Sequence, residues 1–137
     1  MANFVYGKAK QALLNGQINF SANNYKLLFI KSSLYTFSQD SDEFVSNISA
    51  GAITARTDNI SNITNTLGVL DADDVTIASY SGGPFDVVVL YQVGVADSSS
   101  RLVFYIDTGI GLPYTFTNQE LPITINWSNT LTKIMSL

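Results

Sequence analysis

FDVVVLYQVGVADSSSRLVFYID, residues 85–107, is the stretch that decides the fold. Phe85 to Val95 is a long run rich in β-branched residues, Ala96 to Ser100 is a polar loop, and Arg101 to Asp107 returns as RLVFYID. Two apolar, β-prone runs joined by a short Asp/Ser loop predict an antiparallel hairpin. Ser81-Gly82-Gly83-Pro84 before it and Gly109, Gly111 and Pro113 after it are breakers that fix its ends.

Outward from that hairpin the chain keeps reading as short strands. Tyr25-Lys26-Leu27-Leu28-Phe29-Ile30 is mostly apolar and suits a central strand, entered through a turn at Asn23-Asn24. Gln17 to Phe20 is expected as a further short strand, and residues 49–67 as one or two exposed strands. Leu67 to Leu70 leads into an Asp71-Ala72-Asp73-Asp74 turn, after which Val75 to Ala78 is a strand. Tyr114 to Thr117, Ile123 to Trp127 and Thr130 to Met135 complete the set. In LPITINW (121–127) strict alternation puts Ile123, Ile125 and Trp127 on one face, as in a sheet with one wet side.

One segment departs from this pattern. Phe4 to Asn15 (FVYGKAKQALLN) has apolar residues near helical spacing, Asn3 available to cap it and Gly16 to stop it. A second, single helical turn is expected across Asp42 to Val45, capped by Ser41. The expected architecture is therefore mainly β: one domain over 1–137, a β-sandwich or jelly-roll-like fold with an N-terminal helix at about 4–15.

The residue types restrict the chemistry. With no His and no Cys in 137 residues, Ser-His-Asp and Cys-His nucleophile pairs, His/Cys zinc sites and disulfides are excluded. Charged residues make up 13% of the chain, against about 25% in typical soluble domains. Ser, Thr and Asn replace them, 39 residues together. A neutral hydroxyl and amide surface is cheaper to desolvate than one of Lys and Glu, which favours a protein covered by partners in its working state. The net charge of −4 with scattered basic residues predicts no nucleic-acid partner. No run approaches the roughly 20 apolar residues of a membrane span, and the N-terminus does not read as a signal peptide.

Asp71, Asp73 and Asp74 form an acidic cluster and are the weak candidates for a calcium site. The EF-hand pattern is absent, since its sixth and twelfth positions hold Thr76 and Gly82, and a turn held by Asp side chains is the expectation. No metal, cofactor or catalytic residue is assigned. The expectation is a protein that is not an enzyme. Tyr is suited to interfaces by its apolar body and polar tip. Tyr6, Tyr35 and Tyr114, with Phe4, Val5 and Phe37, are the candidate contact residues.

In order, the segments ALLNGQI (12–18), YKLLFIKSS (25–33), FSQDSDEF (37–44), LDADDVT (70–76), VVVLY (87–91), LVFYIDTG (102–109) and ITINW (123–127) resemble a family of small structural proteins of tailed bacteriophages. The resemblance spans nearly the whole chain. Three places differ: the family often has His after the acidic turn and Trp after the Asp-Ala-Asp-Asp-Val-Thr segment, where this chain has Glu43 and Ile77, and residues 46–68 match the family poorly. It implies a capsid decoration, or cement, protein on the outer surface of a virion, made in the host cytoplasm. Its implied partners are the phage major capsid protein and itself, as homotrimer or homodimer. The competing expectation is a tail- or fibre-associated module that binds glycans.

Overall fold

Tyr25–Ile30 and Val87–Gln92 are the two strands around which the molecule is built, because apart from Lys26 and Gln92 their residues are apolar in succession rather than at alternate positions. All six residues of Val87–Gln92 are buried, so both faces of the sheet are covered. The computed structural model describes residues 3–80, 83–107, 112, 121–125 and 135–136. In chain order the strands are β1 Phe4–Val5, β2 Tyr25–Ile30, β3 Ile53–Arg56, β4 Thr64–Thr66, β5 Val69–Asp71, β6 Val75–Tyr80, β7 Val87–Gln92, β8 Arg101–Ile106, β9 Leu121–Ile125 and β10 Met135–Ser136. The helix α1 is Gly7–Leu14.

The main sheet has five antiparallel strands in the order β1-β8-β7-β2-β3. The expected hairpin is its β7–β8 pair, with Val88 opposite Ile106 and Leu90 opposite Phe104. Two smaller sheets, β10-β5-β4 and β6-β9, complete a mainly-β fold with one helix, as the sequence predicts. Across the main sheet the register aligns Phe4, Tyr105, Val89 and Leu28 on one face. Val5, Phe104, Leu90 and Leu27 share the other. On that second face Phe29 stacks on Phe85 at 4.4 Å and meets the edge of Tyr80 at 5.8 Å.

The N-terminal segment corrects the helix expected at 4–15. Phe4 and Val5, aromatic and β-branched, pair with Tyr105 and Phe104 as a strand, and the helix begins at Gly7. Asn3 does not cap it. Its Oδ1 accepts a hydrogen bond from the Asp107 backbone N–H at 2.9 Å, which ties the start of β1 to the end of β8. Gly7 packs closely against the 39–40 segment: a Cβ there would lie 2.7 Å from Asp40 Oδ1 and 3.2 Å from Asp40 Cα, and the Gly7 N–H donates to the Gln39 carbonyl at 2.8 Å. The far end of α1 does stop as expected. Gly16, with φ +74°, donates to Leu13 while Gln17 donates to Ala12, the paired bonds of a Schellman motif.

Other local expectations shift by a few residues. Gln17 to Phe20 is not a strand, because the Asn19 side chain accepts from Ser21 N (3.0 Å) and Ser21 Oγ (2.7 Å) and folds the chain into a turn. The helical turn expected at Asp42 to Val45 forms instead as a 3₁₀ turn at Val45–Asn47. Asn47 Oδ1 accepts from the N–H groups of Glu43 and Phe44 there, and Asp42 is drawn into the interior. The strand expectations at 114–117 and most of 130–135, together with Trp127, lie outside the described residues.

Two loop tips carry apolar side chains. The two-residue turn between β4 and β5 is Leu67-Gly68, with φ +52° and +80°, the sign pattern of a type I′ hairpin turn. Asn-Gly is the favoured pair for this turn, and an L-residue other than Asn, Asp or Gly held there costs roughly 1–2 kcal/mol. The loop after β7 presents Val95, fully exposed, and is clasped by an exposed ion pair between the Arg56 guanidinium and Asp97, both bonds 2.7 Å. Gly94 packs against the same loop: a Cβ would fall 2.5 Å from the Ser99 carbonyl oxygen. Gly94→Ala should therefore cost about 1–3 kcal/mol by pushing backbone apart. A chemical-denaturation midpoint unchanged from the wild type would contradict that placement.

Candidate functional site

Four of the six candidate contact residues converge on one place. Phe4 arrives on β1, Tyr6 just before α1, and Tyr35 and Phe37 on the loop that follows the 3₁₀ turn Ser32–Leu34. Tyr105 of β8 forms the floor. Phe4 stacks on Tyr105 at 4.6 Å with the rings 12° from parallel, and Phe37 lies 4.6 Å from both. Tyr6 meets the Phe37 and Tyr105 rings edge-on. Pairs in these offset and T-shaped geometries add about 0.5–1.5 kcal/mol each beyond area burial.

Under the rings runs a buried hydrogen-bond chain. The Tyr35 hydroxyl donates to Asp42 Oδ2, so the Tyr6 hydroxyl, 3.2 Å away, donates to the Tyr35 oxygen. Asp42 also accepts from the Ser38 N–H at 2.9 Å. Burial, the neighbouring hydroxyl and the Asp42 carboxylate push the Tyr35 phenol far above its ordinary value, and burial does the same for Tyr6. These hydroxyls stay protonated at any physiological pH. They brace the site rather than react. Val5 and Tyr6 are enclosed in the fold, Tyr35 is buried, and only Phe4 and Phe37 keep part of their surface in solvent. Tyr114 lies outside the described residues.

Beside this cluster is an open groove of about 450 Å³ lined by Ser32, Tyr35, Phe37, Asp86, Tyr105 and Asp107, among others. Asp86 Oδ1 accepts from the Ser32 N–H at 2.8 Å and its other oxygen accepts from the Ser32 hydroxyl. The Tyr105 phenol is pushed up to about 12, first by burial, then by the negative fields of Asp107 and Asp86. Asp86 and Asp107 were not singled out in the sequence. The signal for them was present: they flank the two strands of the 85–107 hairpin, and antiparallel pairing brings both to its open end. Aromatic walls with carboxylate acceptors suit the apolar faces and hydroxyl groups of a sugar or polyol.

Asp71 ends β5, and Asp73 Oδ2 accepts from the Asn62 amide at 2.6 Å while the Asp73 N–H donates to the Ser61 carbonyl. Among the described residues no group of three or more Asp or Glu is placed to hold a metal ion. Nor is any described helix long and apolar enough to cross a membrane. A second hollow, of about 420 Å³, lies where the end of α1, the Asn19 turn and the start of β4 meet; Leu13, Ile18, Phe20, Ile63 and Asn65 line it. Compared with known protein families, with curated proteins and with solved structures, the chain finds no match in any of the three.

Proposed function

We propose that this chain is a capsid decoration protein. It attaches as a homo-oligomer to the outer surface of a tailed-phage head, bridges neighbouring major capsid subunits and stabilises the shell. The observation that carries the reading is the character of its protruding tips. Turns are ordinarily filled by Gly, Asn, Asp, Ser and Pro, yet Leu67 and Val95 stand at hairpin tips with 98% and 102% of their surface exposed. On a chain with so few charges, such tips are surface that a partner can cover without desolvating a charge. The ordered resemblance of the segments from 12 to 127 supports the same role. No catalytic step is assigned. Affinity comes from repetition over a symmetric lattice, where linked contacts raise effective concentration and each can be weak.

The test is co-sedimentation with empty heads assembled from the major capsid protein of the same virus. Binding should saturate at a fixed ratio. Val95→Asp, which places a charge on an exposed tip without touching the core, should weaken it about tenfold, the equivalent of 1.4 kcal/mol. Heads that pellet without the protein at any concentration would refute the proposal.

One observation favours a second reading. The groove of Tyr35, Phe37, Tyr105, Asp86 and Asp107 has the mixed aromatic and carboxylate lining of a saccharide site, which suits a tail- or fibre-associated glycan-binding module. Retention on a glycan array, lost in Asp107→Asn, would favour it over capsid decoration.

A further inference from the structure

We infer that the β4 edge and the hollow beside it form a two-fold interface with a second copy of this chain, in which Leu67 of each copy seats in the hollow of the other. This deepens the self-association in the reading above by naming its surface, and it requires no capsid. Three features of one small patch carry it.

The first is Leu67 itself. It sits at a turn position where a left-handed backbone disfavours it, and its side chain touches nothing in its own molecule that would offset that cost. An apolar knob held in a strained, solvated position is explained by a partner that receives it. The second is the hollow. Its walls are Leu13, Ile18, Phe20 and Ile63, its rim is Asn and Ser, and no charged residue lines it. Leu14, next to Leu13 at the end of α1, is 89% exposed and extends the apolar surface outward. The third is the strand between them. β4 is Thr-Asn-Thr, exposed at all three residues, and terminates its sheet beyond β5. Among the described residues no Lys, Pro or bulge guards this edge, which is blunted only by its three-residue length.

The spacing makes the patch self-complementary. If two β4 strands pair antiparallel about a two-fold axis through Asn65, Thr66 of one copy falls opposite Thr64 of the other. That brings the turn at Leu67 to the end of the second copy where Ile63, a wall of the hollow, leads into β4. Knob and hollow adjacent on one surface give an isologous contact, made twice by the same symmetry operation. The two small sheets join across the axis into a continuous one, which also satisfies the open N–H and C=O groups of β4.

The experiment is sedimentation velocity and light scattering on the full chain across a wide concentration range, for the wild type and Leu67→Asn, with Leu14→Ser as a second variant. The wild type should show a monomer–dimer equilibrium, and each variant should raise the dimer dissociation constant at least about tenfold. In parallel, melting is followed at a dilution where all three are monomeric. Asn tolerates the left-handed turn, so Leu67→Asn should melt about 3 °C above the wild type. A weaker dimer with a more stable monomer is a combination that an ordinary packing residue does not give. A wild type that is monomeric throughout, a trimer, a dimer indifferent to both variants, or a lower monomer melting point for Leu67→Asn would each overturn the inference. Co-sedimentation with heads on the same preparations separates the two proposals: an intact Leu67-dependent dimer that ignores capsids sinks the capsid reading and leaves this interface standing.

Discussion

Above pH 10 this protein should unfold in one steep step, with its tyrosines ionising as the fold is lost. Burial raises the phenols of Tyr6, Tyr25, Tyr35, Tyr91 and Tyr105 above their ordinary value. In the unfolded chain each titrates near about 10. Below that pH both states hold the protons and the tyrosines give no pH dependence. Between about 10 and the raised native values the folded state keeps protons that the unfolded state releases, so stability falls as pH rises. Each such group contributes at most about 1.4 kcal/mol per pH unit, with Tyr91 giving less because Arg56 opposes the effect of burial, so together they reach several kcal/mol per unit. Against a typical total of about 5–15 kcal/mol, that is enough to unfold the chain within one or two pH units. Far-ultraviolet circular dichroism and tyrosinate absorbance should change together. Five tyrosines titrating near pH 10 with the sheet intact would contradict the buried hydroxyl chain and the closed core.

Removing the ring of Phe29 should have the largest effect of any single core substitution. Phe29 is 1% exposed in the central strand β2, stacked on Phe85 and in edge contact with Tyr80. The Tyr80 hydroxyl donates to the Gly83 carbonyl at 2.6 Å, so this ring cluster also fixes the chain as it enters β7. Phe29→Ala removes the stack and leaves a cavity beneath two strands, at a cost of about 3–5 kcal/mol. Phe20→Ala, at a half-buried ring in the loop before β2, should cost clearly less. Urea denaturation of both variants checks the ranking, and equal midpoints would place Phe29 outside the core.

The strands read from the sequence with most success are those buried on both faces. Tyr25 to Ile30, Phe85 to Val95 and Arg101 to Asp107 are long apolar, β-prone runs between strong breakers, and they became β2, β7 and β8. Short polar strands were harder. β4 is Thr-Asn-Thr and carries no hydrophobic pattern, so its existence depends on its partner β5 and on the turn at Leu67-Gly68. The N-terminal segment is ambiguous for a related reason. Phe4 and Val5 fit a helical face as well as a strand, and what decides between them is pairing with Phe104 and Tyr105 a hundred residues away. The aromatic site was half legible. Phe4, Tyr6, Tyr35 and Phe37 stand out by residue type, but their floor, Tyr105, reads as ordinary strand. The polar chain that braces them needs Asp42, which lies in a polar segment whose residue types do not mark its carboxylate as inward-pointing.

The central claim is that this protein covers a phage shell, and counting its copies in purified particles by quantitative mass spectrometry tests that most directly. One copy per major capsid subunit, or a simple fraction of one, is the predicted result. Absence from the particle, or only a handful of copies confined to a tail or vertex, would contradict it.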